Sequence, residues 1–240
     1  MGRFLTILLA SVCGGLIQGT CGFGCGILAM LGLSAFLPVN QSAAVTSIIN
    51  FGITVPMVLR YRRHLTFRKI IIPFLIYTLC SILIIRISAD LEARMLKRVF
   101  GGFLVMLSIY HFTLAGKQPV KWTPILALLA FIISGVGSGL FAVGGPMMVL
   151  YFLGNTDSKE EFLADTQMIF VLNAMPTLYT RISSGLLTAE HLPFLVPGLI
   201  GVLGGFWIAG RIVKTINKEK LTAIVYSVIC ICGVLFLTGM

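Results

Sequence analysis

Two apolar stretches of this chain, residues 4–36 and 122–154, are too long for one passage through a bilayer and too short for two, and both are broken by glycine near the middle. A crossing helix needs roughly 20 apolar residues. The centre of the first stretch reads Gly19-Thr20-Cys21-Gly22-Phe23-Gly24-Cys25-Gly26; the second reads Gly135-Val136-Gly137-Ser138-Gly139 and then Gly144-Gly145-Pro146. Each glycine costs a helix about 1 kcal/mol relative to alanine, so a continuous helix is not expected through either stretch. Irregular backbone at membrane depth survives only where protein or a water-filled cavity satisfies its polar groups.

Lipid is the expected solvent for the rest of the chain. Hydrophobic residues make up 58% and charged residues 11% of the 240, a composition that would leave large apolar patches on a soluble domain. Further apolar runs at 43–59, 70–87, 99–115, 163–180, 192–213 and 221–238 bring the total to eight hydrophobic segments with no soluble domain. The net charge of +10 is read as basic loops held on the cytoplasmic side and not as a nucleic-acid surface, because the loops are too short to form a binding module. All six cysteines fall inside apolar runs, where Cys behaves as a small hydrophobe. Neither a disulfide framework nor a metal site is expected. Arg3 followed by Phe4 to Ala10 has the outline of a signal peptide, and Met1 to Thr6 loosely fits a myristoylation pattern. Both readings give way to the fold, because the same stretch has an internal counterpart.

That counterpart appears when the chain is slid against itself by 120 positions. Gly15, Gly19, Gly24, Leu33, Ala44, Thr46, Ile49, Pro56, Pro73, Phe74 and Leu75 then pair with identical residues from Gly135 to Leu195. A duplication is the expected cause, with repeat 1 at 1–116 and repeat 2 at 117–240. Each copy holds one glycine-broken segment and three ordinary ones.

The distribution of Lys and Arg chooses between two architectures. Eight simple crossings would divide these residues evenly between the two sides. Re-entrant hairpins at the broken segments leave three crossings per copy and invert the second copy. Arg60, Arg62, Arg63, Arg68, Lys69, Lys117, Lys121, Lys159, Arg211, Lys214, Lys218 and Lys220 then share one side, against six on the other. The expectation is an all-α integral membrane protein with inverted four-segment repeats, re-entrant first segments and both termini outside.

Inverted repeats bring their breaks together near the midplane, where secondary transporters bind substrate. A half-helix starting there aims free N–H groups and a positive dipole end at the cavity. Pro146 suits the first position of such a half-helix, since its missing N–H has no partner to lose. The expected guest is a small anion. Candidate contacts are Gly22, Gly24, Gly26, Gly144, Gly145 and Pro146, with Thr46, Ser47, Asn50, Thr166 and Gln167 from the spans that follow; helix-to-helix hydrogen bonding is the alternative for the polar residues. Gly15, Gly19, Gly135 and Gly139 suit close helix packing. Asn173 reads as a helix-packing residue, Asp165 and His111 as interfacial, and Arg86 and Arg181 as snorkelling cations.

These residues resemble the TauE/SafE family of sulfite and organosulfonate exporters. Gly22-Phe23-Gly24-Cys25-Gly26-Ile27 and Ala44-Val45-Thr46-Ser47 are similar to its Gly-Phe-Gly-Gly-Gly and Ala-x-x-Thr-Ser elements, and Gly135 to Pro146 resembles its second glycine motif. Cys25 and the run Asp165-Thr166-Gln167 depart from the pattern. The resemblance implies a secondary transporter, an exporter of sulfite, sulfoacetate or another organosulfonate, in a prokaryotic inner membrane. An intramembrane enzyme is not expected, because His64, His111 and His191 are scattered and no paired carboxylates face one another along a span, and no cofactor is expected. Expected partners are the anion and the bilayer, with no nucleic acid and a homodimer as an option. The rivals are a carrier of another small anion or cation and a non-transporting scaffold or sensor. For a cation carrier, Asp165 is the carboxylate to test.

Overall fold

The computed structural model describes residues 2–89, 91–114, 122–212 and 218–238, with backbone alone for His111, Ile212 and several residues between 218 and 228. Lys117, Lys121 and Lys214, the side chains of His111, Lys218 and Lys220, and the repeat boundary at 116/117 lie outside the described residues. Ten α-helices and two short 3-10 turns account for the fold, and the described residues contain no strand. The helices are α1 Gly2–Cys21, α2 Cys25–Ser34, α3 Val39–Tyr61, α4 Phe67–Ser88, α5 Ala93–Leu114, α6 Pro124–Phe141, α7 Gly145–Asn155, α8 Lys159–Ser183, α9 Leu192–Ile212 and α10 Lys218–Thr238. Among the described residues, five helical stretches are long and apolar enough to cross a bilayer: Gly2–Cys21, Val39–His64, Phe67–Ser88, Pro124–Phe141 and Ala189–Arg211. Leu79, Ile72 and Leu83 of α4 and Ile200 of α9 point outward, as lipid-facing residues must.

Local chemistry sets several helix starts. Thr123 accepts from the Leu126 amide ahead of Pro124 at the start of α6. Ser158 accepts from the Glu161 amide at the start of α8, whose first turn carries Glu160 and Glu161 against the positive helix end. The starts of α2 and α7 differ: each follows a glycine, Gly24 or Gly144, which has no side chain to cap with.

Each glycine break reverses the chain. Helix α2 returns along α1, so that Cys25 lies against Gly14 and Gly32 against Ala10 and Ile7. In the second copy α7 returns along α6, with Gly144 beside Ser134 and the Tyr151 ring 4.7 Å from that of Phe131.

The two halves of the chain are interlocked more than adjacent. Helix α1 lies alongside α9, with Phe4 near Phe194, Gly15 on Val202 and Gly19 on Ala209. Helix α6 lies alongside α4 in the same way, with Gly135 on Cys80 and Gly139 on Ile84 and Ser81. Two apolar helices in lipid gain little from the hydrophobic effect, and glycine lets their backbones approach closely enough for dispersion to hold them. Helices α3 and α8 pair with each other, and their ends give the direction. The Thr66 amide, just beyond α3, donates to Asp165 near the start of α8, while Gln41 near the start of α3 bonds His191 beyond the end of α8. They run antiparallel. So do α5 and α10, where Ser108 bonds the Tyr226 carbonyl and Gly101 packs on Gly233.

Candidate functional site

The two breaks meet level with the middles of α3 and α8. A Cβ on Gly26 would come within 2.9 Å of the Ala142 carbonyl, and Phe23 packs on Gly145. Around this point lies a cavity of about 50 Å³. Gly24, Gly26 and Ile27 line it from the start of α2, and Gly144, Gly145 and Pro146 from the start of α7. Ser47, Asn50, Phe51 and Thr54 line it from α3, and Phe170, Asn173, Ala174 and Thr177 from α8. Within each helix these positions fall three or four residues apart, which is one helical face.

At both starts the leading backbone N–H groups have no carbonyl one turn back to bond; at α2 the Gln18 side chain takes the Cys25 amide, and at α7 Gly144 offers no side-chain cap. Two positive helix ends therefore converge on one small volume. The lining adds hydroxyls from Ser47, Thr54, Tyr77, Ser138 and Thr177, and amides from Gln18, Asn50 and Asn173. Among the described residues, no charged side chain lines it. The Oδ1 atoms of Asn50 and Asn173 are buried without a partner, and an Asn amide exchanges acceptor for donor by turning over.

The outgoing ends of α1 and α6 leave carbonyls that also need partners. Gln167 Nε2 donates to the Gly22 carbonyl, Gln18 Nε2 donates to Gln167 Oε1 at 3.1 Å, and Gln18 Oε1 accepts from the Cys25 amide at 3.1 Å. At the second break, Arg181 donates from one guanidinium nitrogen to the Ser138 carbonyl at 2.9 Å and the Gly139 carbonyl at 2.8 Å. Asn173 Nδ2 donates to the Ser138 hydroxyl at 3.1 Å. Gln167 and Arg181 both belong to α8, four turns apart on one face.

Seven of the eleven candidate residues line the cavity: Gly24, Gly26, Ser47, Asn50, Gly144, Gly145 and Pro146. The other four sit behind it. Thr46 is fully buried with its hydroxyl on Met30 Sδ at 3.9 Å, and Thr166 is fully buried with its hydroxyl unpartnered. Gln167 holds the first break, and Gly22 faces Phe162 and Leu163. Gln18, Thr54, Tyr77, Ser138 and Thr177 line the cavity without having been singled out. Asn173 lines it in addition to bonding across helices.

Two charges depart from their expected places. Arg181 does not snorkel: it is 1% exposed, because the carbonyls it reaches lie inward at the break. Asp165 is fully buried, held by the Thr66 amide at 2.8 Å, and is not a cavity residue. Arg86 is exposed as expected.

The family model described as "Sulfite exporter TauE/SafE" matches residues 7–236. No curated protein matches the chain, and no solved structure does. The match spans nearly the whole chain, which belongs to the TauE/SafE family and is a multi-pass membrane protein of a transporter class.

Proposed function

We propose that this TauE/SafE member is a secondary transporter that exports a small sulfur-containing oxyanion, of the sulfite class, through the cavity where its two glycine breaks meet. The observation that carries this reading is the convergence of two half-helix starts, one from each copy, on a single cavity with no carboxylate among its described lining residues. Free N–H groups and two positive dipole ends favour a negative guest and disfavour a cation.

Size narrows the guest. One water-sized group needs roughly 10–15 Å³ by this measure, so a cavity of about 50 Å³ takes about four such groups. Sulfite has four non-hydrogen atoms. An organosulfonate tail would need the cavity to widen during the transport cycle.

In this reading the copies are inverted repeats whose broken segments are re-entrant, and alternating access is a rocking of one copy against the other. The antiparallel pairing of α3 with α8 and of α5 with α10 supports it, as do the two chain reversals. The membrane is taken as a prokaryotic inner membrane. A cation carrier finds less support, because Asp165 accepts from the Thr66 amide away from the cavity.

The test is binding and transport with purified protein. In detergent, sulfite should raise the unfolding temperature more than sulfate, taurine, sulfoacetate or acetate. In liposomes, sulfite movement should saturate and be inhibited by the better binders among these. Absence of both effects for every sulfur oxyanion, with an Asp165-dependent cation flux in their place, would reverse the assignment.

A further inference from the structure

Arg181 is a buried cation without a counter-charge. It is 1% exposed, and among the described residues no carboxylate lies within ion-pair distance of it. Asp165, the other fully buried charge on α8, is sixteen residues away, or about 24 Å along the helix axis. The two carbonyls that Arg181 bonds leave its Nε buried with no partner. An uncompensated charge in a dry interior is costly, and a protein keeps one where something else supplies the opposite sign.

The geometry points to what supplies it. Arg181 grips the carbonyl of Ser138, and Ser138 lines the cavity together with Tyr77, which lies within electrostatic range of the guanidinium. The cavity wall itself carries no charge. We propose that Arg181 is the fixed counter-charge of the transported anion: the guest in the cavity completes an ion pair, through one layer of protein, that the empty carrier lacks. The proposal rests on the anion-transport reading and adds the residue that sets charge selectivity. Coulomb attraction falls only as the inverse of distance and is weakly screened in such a site, so Arg181 acts without touching the guest. It is a positioning and selectivity residue. Ser138, which Asn173 also bonds, ties it to the cavity wall.

The competing role is purely structural, a basic side chain capping the carbonyl end of α6. The two roles are separated by anion affinity. If Arg181 serves an anion, replacing it by an apolar residue of similar length should weaken anion binding, whatever the two stranded carbonyls cost the anion-free protein. If it is only a cap, the same change should destabilise the anion-free protein and leave anion affinity alone.

The experiment uses the full chain in detergent, with sulfite as probe and sulfate and chloride alongside. It measures unfolding temperature and binding affinity for wild type, Arg181→Met, Arg181→Gln and Arg181→Lys. The expected result is that Met and Gln variants fold, lose the sulfite-induced rise and bind sulfite about a hundredfold more weakly. Arg181→Lys, which keeps the charge, should recover most of that loss. Sulfite affinity within about threefold of wild type in Met or Gln would overturn the proposal while leaving anion transport standing. So would failure of both neutral variants to fold while Lys folds, because the charge would then serve α6. If wild type responds to none of the anions, the transport reading falls and this proposal with it.

Discussion

The two glycine breaks both reverse the chain and differ in what holds them. At the first, a neutral amide pair, Gln18 and Gln167, bonds the loose carbonyl of Gly22 and the amide of Cys25. At the second, a buried guanidinium bonds the carbonyls of Ser138 and Gly139. The first turns through two glycines with positive φ, Gly22 at 85° and Gly24 at 115°, while the second turns through Ala142 at 55°, a conformation that costs an L-residue about 1–2 kcal/mol. A neutral pair therefore stands at one wall of the cavity and a positive charge lies behind the other.

The largest effect that would break this comparison comes from filling the cavity. Gly144→Leu would drive a side chain toward the Tyr77 hydroxyl and the Ser134 carbonyl, and Gly24→Leu would add a side chain at a positive φ beside Ile17. Both should reduce anion flux in liposomes to background, with membrane insertion checked by yield and monodispersity. Flux surviving in both variants would remove the breaks from the transport path. Next comes the neutral pin: Gln167→Leu strands Gln18 and the Gly22 carbonyl, and should cost about 2 kcal/mol in unfolding experiments. Its effect should appear as loosened exchange protection of residues 22–26 while the second break stays protected. Equal loosening of both breaks would mean that they are not held independently. The smallest effect is at the strained turn, where Ala142→Gly should raise stability by about 0.5 kcal/mol, strain relief exceeding the backbone entropy that glycine adds. A lower unfolding temperature would show that the Ala142 methyl packs for more than its strain costs.

The matches between copies led to the breaks and, in part, away from the cavity. Gly24 and Gly144 are identical across the copies and do line it. Thr46 and Thr166 are identical and lie behind it, where equivalent positions of the two copies pack alike. Cavity-facing positions are mostly those that diverged: Gln18 stands where the second copy has Ser138, Asn50 where it has Phe170, and Thr54 where it has Ala174. A search for identities therefore finds scaffold, because shared packing keeps residues alike while the guest meets the copies from different sides. A better signal was available in the polar stripes Ser47, Asn50 and Thr54 on α3 and Gln167, Asn173, Thr177 and Arg181 on α8. Polar residues recurring at helical spacing within an apolar helix mark a face turned away from lipid.

Composition by itself determined that the chain lives in lipid, because 58% hydrophobic residues leave no soluble alternative. The dense glycine clusters determined where α1 and α6 stop, a local property of backbone freedom, whereas Pro56, Pro73, Pro176 and Pro197 sit inside continuing helices. Which surfaces the stopped ends face was decided only by the tertiary structure. Arg181 shows why. From sequence it is a cation near the end of an apolar run, with water apparently in reach, and free energy then favours snorkelling. In the fold α8 crosses the second break, and two carbonyls forty-two and forty-three residues away offer that cation a partner inside the protein. Long-range contacts of this kind depend on where other helices lie, and no local pattern carries that information.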